Sequence, residues 1–246
     1  MQYDFTSIPD RSACGSSKWD AVPGACTEKV PLSTADMEFV TAPPIVDALK
    51  QTAETTILGY SHPTEDYYRA VCGWMARKHG FAVTPEQIIT TPGVVYALGV
   101  LVDAVCEPGD SVLILTPVYY PFDMAVLAKG RNIVYSELKL TGTRYTIDYG
   151  DLEEKAKRSD VRALLFCNPH NPVGRVWSRD ELERVVDICA ENDVFIIDDE
   201  IHNDLIMPGY THTVMATLSD TAEKICAVCT APSKTFNIAG LKSSVI

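Results

Sequence analysis

The sequence lacks a basic amino-terminal head leading into an apolar stretch, so MQYDFTSIPDRSACGSSKWD reads as a start without a secretory signal. No apolar run approaches the roughly 18 residues that a membrane helix needs, and no membrane partner is expected. Positive charge is scarce. The 21 Lys and Arg stand against 33 Asp and Glu, a formal net charge of −12. That balance disfavours nucleic acid as a partner, because phosphate binding needs a basic face. Paired cysteine spacing is missing too. Of the eight cysteines only Cys226 and Cys229 form a C-x-x-C. No second pair or nearby His completes a tetrahedral site, so no metal is expected. Both sit in an expected buried strand, where a thiol acts as a small hydrophobe, and the chain reads as cytoplasmic. Internal repeats and low-complexity segments are absent.

What is present is ordinary globular material: 246 residues, 46% hydrophobic and 22% charged. This suffices for one large α/β domain or two small ones. Residues 1–40 look irregular, with Pro9, Gly15, Pro23, Gly24 and Pro31. Pro43 and Pro44 open a helix with Ile45, Val46, Leu49 and Ala53 on one side. A second helix runs from about Thr64 to His79, with Glu65 and Asp66 at its start, Arg77 and Lys78 at its end and Gly80 stopping it.

Apolar runs then alternate with helical patterns. Strands are expected at 87–90, 111–115, 132–138, 163–167, 194–197 and 224–230, with short ones at 145–147 and from 243. Helices are expected at about 93–106, from 119 to about 129, at 148–157 and after Ser178, whose Glu181 completes a capping-box spacing. The pattern predicts an α/β fold, a mainly parallel sheet covered on both faces, with ligands beyond the carboxyl ends of its strands. The chain stops in mid-strand at Ile246 and reads as a fragment.

Several residues at those strand ends carry chemical meaning. Lys234 lies in a turn of small and uncharged residues after a buried strand. Burial there would favour a neutral amine able to form a Schiff base with a carbonyl. Asp199 follows the apolar strand 194–197 and is either a cap or salt-bridge partner, or the acid that keeps a pyridine nitrogen protonated. Asn171, in His-Asn-Pro-Val-Gly, either makes a turn or donates to a phenolic oxygen. Tyr119 covers the core or stacks on a flat ring. Gly93, Val94 and Val95 open a helix whose free amides suit a phosphate.

In this order, the pieces resemble fold-type I pyridoxal-phosphate enzymes, the aspartate-aminotransferase superfamily. The resemblance is nearest to the cystathionine β-lyase branch of the class I/II aminotransferases. It is carried by KWD at 18–20, ADMEF at 35–39, GYS at 59–61, TPVY at 116–119, NPHNPVGR at 168–175, DDEIHNDL at 198–205 and SKTFNIAGL at 233–241. It implies a three-layer sandwich whose C-terminal small domain is missing, with residues 1–45 as an arm and 46–246 as the cofactor domain. It implies pyridoxal 5′-phosphate on Lys234, Asp199 at the ring nitrogen, Asn171 at the ring oxygen, Tyr119 stacked on the ring and Val94 and Val95 at the phosphate. Thr230, Ser233 and Lys242 fall where the superfamily places further phosphate contacts. Tyr60 matches a tyrosine that enters the neighbouring subunit's site, which implies a homodimer. Ser33 stands where many lyases of the branch have an aromatic residue, and the arginine that binds the substrate carboxylate has no counterpart in this chain.

Three functions compete: a carbon–sulfur β-lyase acting on cystathionine or cysteine-type amino acids, an aminotransferase using the same residues, and a cofactor-binding regulatory or inactive protein.

Overall fold

A computed structural model of the chain describes residues 3–11, 14–22 and 31–246. The expected irregularity at Pro23 and Gly24 lies outside the described residues. Contacts divide the chain into two compact units, Met1–His62 with Pro232–Leu241, and Pro63–Ala231 with Lys242–Ile246.

In the first unit, helix α1 (Pro43–Thr55) starts on its two prolines and buries no residue. Charge holds the rest. The buried Lys18 Nζ lies 2.5 Å from Glu38 Oε1 and donates to the Asp36 carbonyl at 3.0 Å. Trp19 Nε1 donates to the other Glu38 oxygen at 3.0 Å, and Arg11 meets Asp36 at 3.1 Å. A lysine tolerates such burial only when paired. KWD and ADMEF are thus two halves of one ion-pair network. Asn237, in left-handed backbone at φ 55°, accepts from the Met37 amide and donates to the Met37 and Phe39 carbonyls, all at 3.0 Å.

The second unit opens with α2 (Glu65–His79), capped by Thr64 and ended by Gly80 at φ 63°. Strand β1 (Thr90–Thr91), α3 (Val94–Val105), β2 (Ser111–Thr116), α4 (Pro121–Leu127) and β3 (Asn132–Glu137) follow. A small hairpin joins β4 (Lys139–Thr141) to β5 (Arg144–Thr146). Then come α5 (Tyr149–Ala156), β6 (Val161–Cys167), α6 (Arg179–Glu191), β7 (Phe195–Asp199), α7 (Asp220–Ile225), β8 (Cys226–Cys229) and β9 (Ser244–Val245).

Five strands form one parallel sheet in the order β3-β2-β6-β7-β8. β9 pairs antiparallel with β1. Strict alternation sorts the side chains. Leu113, Leu115, Leu164, Phe166 and Ile196 pack with α5 and α6 residues such as Leu152, Leu182 and Val185. Val112, Ile114, Ala163, Leu165 and Ile197 pack with Leu98, Val102 and Phe122 of α3 and α4. Both faces are covered, which is why the strands read as continuous apolar runs. The unit is an α/β three-layer sandwich.

Two expectations need correction. Residues 224–225 end helix α7, not a strand, because Ser219 caps a turn there by accepting from the Ala222 amide at 3.1 Å. At 87–90, a 3₁₀ turn over Pro85–Gln87 leaves only Thr90–Thr91 as strand; Gln87 Oε1 accepts from the Thr84 amide at 3.0 Å and fixes that turn.

Candidate active site

Parallel strands send their carboxyl ends to one edge, and in the second unit that edge gathers the expected residues. Asp199 ends β7 and is 4% exposed. Its Oδ1 accepts from the Ile201 amide at 3.1 Å. It shares a sheet face with Ile197, the face covered by α3 and α4. Its ladder neighbour Cys167 has its thiol pushed well up by burial and then by the Asp199 charge. Tyr119 stands past the end of β2, half-buried. Burial, then Tyr120 and the Asp199 carboxylate, push its phenol up. The structure therefore brings Tyr119 and Asp199 into one electrostatic neighbourhood.

Asn171 follows β6 in a loop whose His170 amide donates to the Arg175 carbonyl at 2.8 Å. Its own amide donates to Cys167 Sγ at 3.4 Å. Gly93 takes φ 133° and ψ 150° just before α3, backbone that a side chain would oppose. Its N–H is spent on Ser244 Oγ at 2.9 Å. Among the described residues, the Val94 and Val95 amides have no hydrogen-bond partner, so the positive end of α3 is open. Thr230 is buried, its amide donating to the Val245 carbonyl at 3.0 Å and its hydroxyl to the Glu200 carbonyl at 3.4 Å. Lys242 is exposed and in left-handed backbone at φ 48°.

Lys234, Ser233 and Tyr60 belong to the first unit. Lys234 lies in the helical turn Pro232–Thr235 and lines a cleft of about 560 Å³ with Arg11, Asp36, Met37, Phe39 and Asn237. Its Nζ donates to the Ala35 carbonyl at 3.3 Å. The small, uncharged turn expected around Lys234 is thus joined in this unit by polar groups distant in sequence. Lys234 is half-buried, with a carboxylate from the far end of the sequence lining the same cleft, which no reading of near neighbours could show. Tyr60 is fully exposed.

Sequence reasoning missed Ser244, which is 0% exposed. Its hydroxyl meets Thr91 Oγ1 at 2.6 Å as well as the Gly93 amide, and so sets where α3 begins. It also missed His170, whose Nε2 lies 3.0 Å from the Pro117 carbonyl. A His between two Asn-Pro pairs was the available signal.

The family model for aminotransferase class I and II matches residues 27–244. The chain belongs to the aminotransferase class I and II family. Cystathionine beta-lyase PatB of Bacillus subtilis is 43% identical over 99% of this chain and 63% of its own length. Cystalysin from Treponema denticola, whose crystal structure contains pyridoxal 5′-phosphate, superposes with a TM-score of 0.96 at 46% identity, over 100% of this chain and 63% of that one. A C–S lyase from Staphylococcus hominis, also solved with the cofactor bound, gives 0.91 at 35% identity over 100% and 63%. The chain thus spans about 63% of the length of these relatives. Among the described residues, no helix is long and apolar enough to cross a membrane.

Proposed function

We propose that the protein is a pyridoxal 5′-phosphate-dependent carbon–sulfur β-lyase that cleaves cystathionine or cysteine-type amino acids to a thiol, pyruvate and ammonia. The observation that carries this reading is the buried Asp199 carboxylate at the mouth of β7, electrostatically coupled to Tyr119. The donor set of the second unit fits the cofactor: one anion for a cationic ring nitrogen, an aromatic ring, and unpaired amides at a helix start for a phosphate. The names of PatB and of the staphylococcal C–S lyase support the choice of lyase over aminotransferase.

Bound there, the cofactor supplies an electron sink for a carbanion at the substrate's α-carbon. The residues do the rest. Asp199 holds the proton on the ring nitrogen, and the Asn171 amide donates to the ring oxygen. Tyr119 covers a ring face and keeps water from it. The Val94 and Val95 amides hold the phosphate at the start of α3, with Thr230, Ser233 and Lys242 as further contacts. Lys234 is the amine that anchors the cofactor covalently and takes the α-proton from the substrate. The same reading makes residues 46–246 the cofactor domain and 1–45 its arm. It makes the protein a cytoplasmic homodimer, with exposed Tyr60 serving the neighbouring subunit's site.

The test is borohydride reduction of the cofactor-loaded full-length protein, followed by peptide mapping and by product analysis with cystathionine. The label should lie on Lys234, and pyruvate should appear without an added keto acid. A label on Lys242 sinks the assignment of the lysine. Amino-group transfer without pyruvate sinks the lyase.

A further inference from the structure

We infer that His170 is a positioning residue that ties the loop carrying Tyr119 to the loop carrying Asn171 through one hydrogen bond, so that ring stacking and ring-oxygen contact are set together. The inference rests on the reading of those two residues as cofactor contacts.

The need for a tie comes from the sheet. β2 and β6 are ladder neighbours, but their register ends at the pair Ile114 and Leu165. Beyond it each strand runs into a proline-containing loop: Pro117 precedes Tyr119 by two residues, and Pro169 and Pro172 flank Asn171. Proline has no N–H, so these loops are short of the donors that would extend a ladder. The His170 side chain supplies one. Its Nε2 lies 3.0 Å from the Pro117 carbonyl, and only a protonated Nε2 can donate there.

The ring is held in place by its surroundings. His170 is 2% exposed, and its ring stands edge-on to Trp177 at 5.5 Å between centroids. Trp177 is itself fixed, donating from Nε1 to the Cys167 carbonyl at 3.0 Å. Arg175 also lies over that indole, 4.4 Å from its centroid, and is held by Glu181 at 2.7 Å. Burial, with Arg175 adding to it, lowers the imidazole to about 4, so His170 is neutral at working pH and carries one N–H. Nδ1 has no hydrogen-bond partner. A ring packed this tightly and bonded through one nitrogen is a spacer of fixed length between two loops. It touches neither substrate nor cofactor in this account. It acts through Tyr119 and Asn171.

The experiment compares His170→Gln with His170→Met in the full-length protein. Glutamine keeps an N–H at nearly the reach of Nε2, while methionine matches the length without a donor. Removing the donor deletes the one hydrogen bond from the His170 ring to the Pro117 carbonyl, a loss of up to roughly tenfold in each readout. Cofactor affinity of the apoprotein should fall about tenfold in His170→Met. Amide exchange at 118–120 should speed up by a similar factor, and the visible cofactor band should shift as Asn171 loses its place. In His170→Gln each readout should stay within about threefold of wild type. Should the methionine variant fail to fold, His170→Asn, whose amide is too short to reach Pro117, takes its place. Wild-type behaviour of His170→Met overturns the inference, and so does a glutamine variant as impaired as methionine. If borohydride labelling shows no cofactor on Lys234, the proposed function falls, and amide exchange in the apoprotein alone decides the role of His170.

Discussion

Asp198 and Asp199 are neighbours on one strand, and the alternation of β7 sends them to opposite faces of the sheet. Asp199 shares the face of Ile197, towards α3 and α4, where its Oδ1 accepts from the Ile201 amide and its charge reaches the Tyr119 phenol and the Cys167 thiol. Asp198 shares the face of Ile196 and is 0% exposed, with Glu200 equally buried beside it. There the polar atoms are crowded. Asn168 Nδ2 reaches Asp198 at 3.4 Å, His212 Nε2 meets Glu200 at 2.9 Å, and the Met215 amide donates to Glu200 at 3.0 Å. Burial, then Glu200, pushes Asp198 well up, while burial raises Glu200 to about 8. The same side-chain type, one residue apart, is proposed as an electrostatic tool on one face and on the other has its acidity suppressed by burial and by Glu200. Surroundings decide which.

The largest effect expected follows from exchanging the tool. Asp199→Asn keeps a hydrogen-bonding group in place but removes the charge that would keep a ring nitrogen protonated. Pyruvate release from cystathionine should fall by about 10²–10³ with cofactor still bound, the scale of losing one preorganised electrostatic contact. Asp198→Asn should leave turnover at the wild-type level. If the two substitutions cost the same activity, the contrast between the faces is false.

Much of this was legible in the sequence, for stated reasons. Runs such as Val112–Leu115 and Ala163–Cys167 declare doubly covered strands, whereas the edge strand β3 alternates and carries no such run. The strand-end positions of Asp199, Tyr119 and Asn171 were legible because each follows such a run. What failed was whatever depended on partners distant in sequence or on an overlooked cap. Lys224 and Ile225 looked like the start of β8 because they adjoin its apolar run, while the Ser219 cap that makes them helical was overlooked. The Lys234 turn looked apolar, yet Asp36 and the Ala35 carbonyl reach its cleft. The role of Lys18 needed Glu38, and that of Ser244 needed Gly93, 151 residues away. The split of Asp198 from Asp199 was available from period-two alternation alone.

A second expectation concerns stability against pH. The folded Asp198 carboxyl is raised well above its ordinary 3.8, so folding takes up a proton there. Such a group contributes stability that is full below the unfolded value and is lost as pH rises towards the folded one. The amide introduced by Asp198→Asn takes up no such proton, so this variant should gain on wild type as pH rises from about 4, by at most about 1.4 kcal/mol per unit. The groups acting on the pair are the Asn168 and Asn203 side chains, the Met215 amide, His212 and, through its charge, Asp199. Burial lowers His212 to about 4, which adds an opposite limb: stability lost as pH falls from 6.5 to 4 in both proteins. Urea melts at pH 5 and pH 8 check the sign. A gap between the variants that does not widen with pH would mean Asp198 is ionised.

The smallest effect sharpens the contrast by leaving both carboxylates untouched. Helix α6 covers the face of Asp198, and its first turn is held by a capping box. Ser178 Oγ accepts from the Glu181 amide at 3.3 Å, while Glu181 Oε2 accepts from the Ser178 amide at 2.8 Å. Ser178→Ala removes one half of that exchange and should cost about 1 kcal/mol. For a chain of this size that lowers the thermal midpoint by about 2–4 °C. Glu181 keeps its pairing with Arg175 at 2.7 Å, so the loop bearing His170 and Asn171 stays held. Cofactor affinity, turnover and the pH dependence of stability should therefore all match wild type. If this cap alone altered the pH dependence, the Asp198 effect would be one of general stability, not of proton uptake at Asp198.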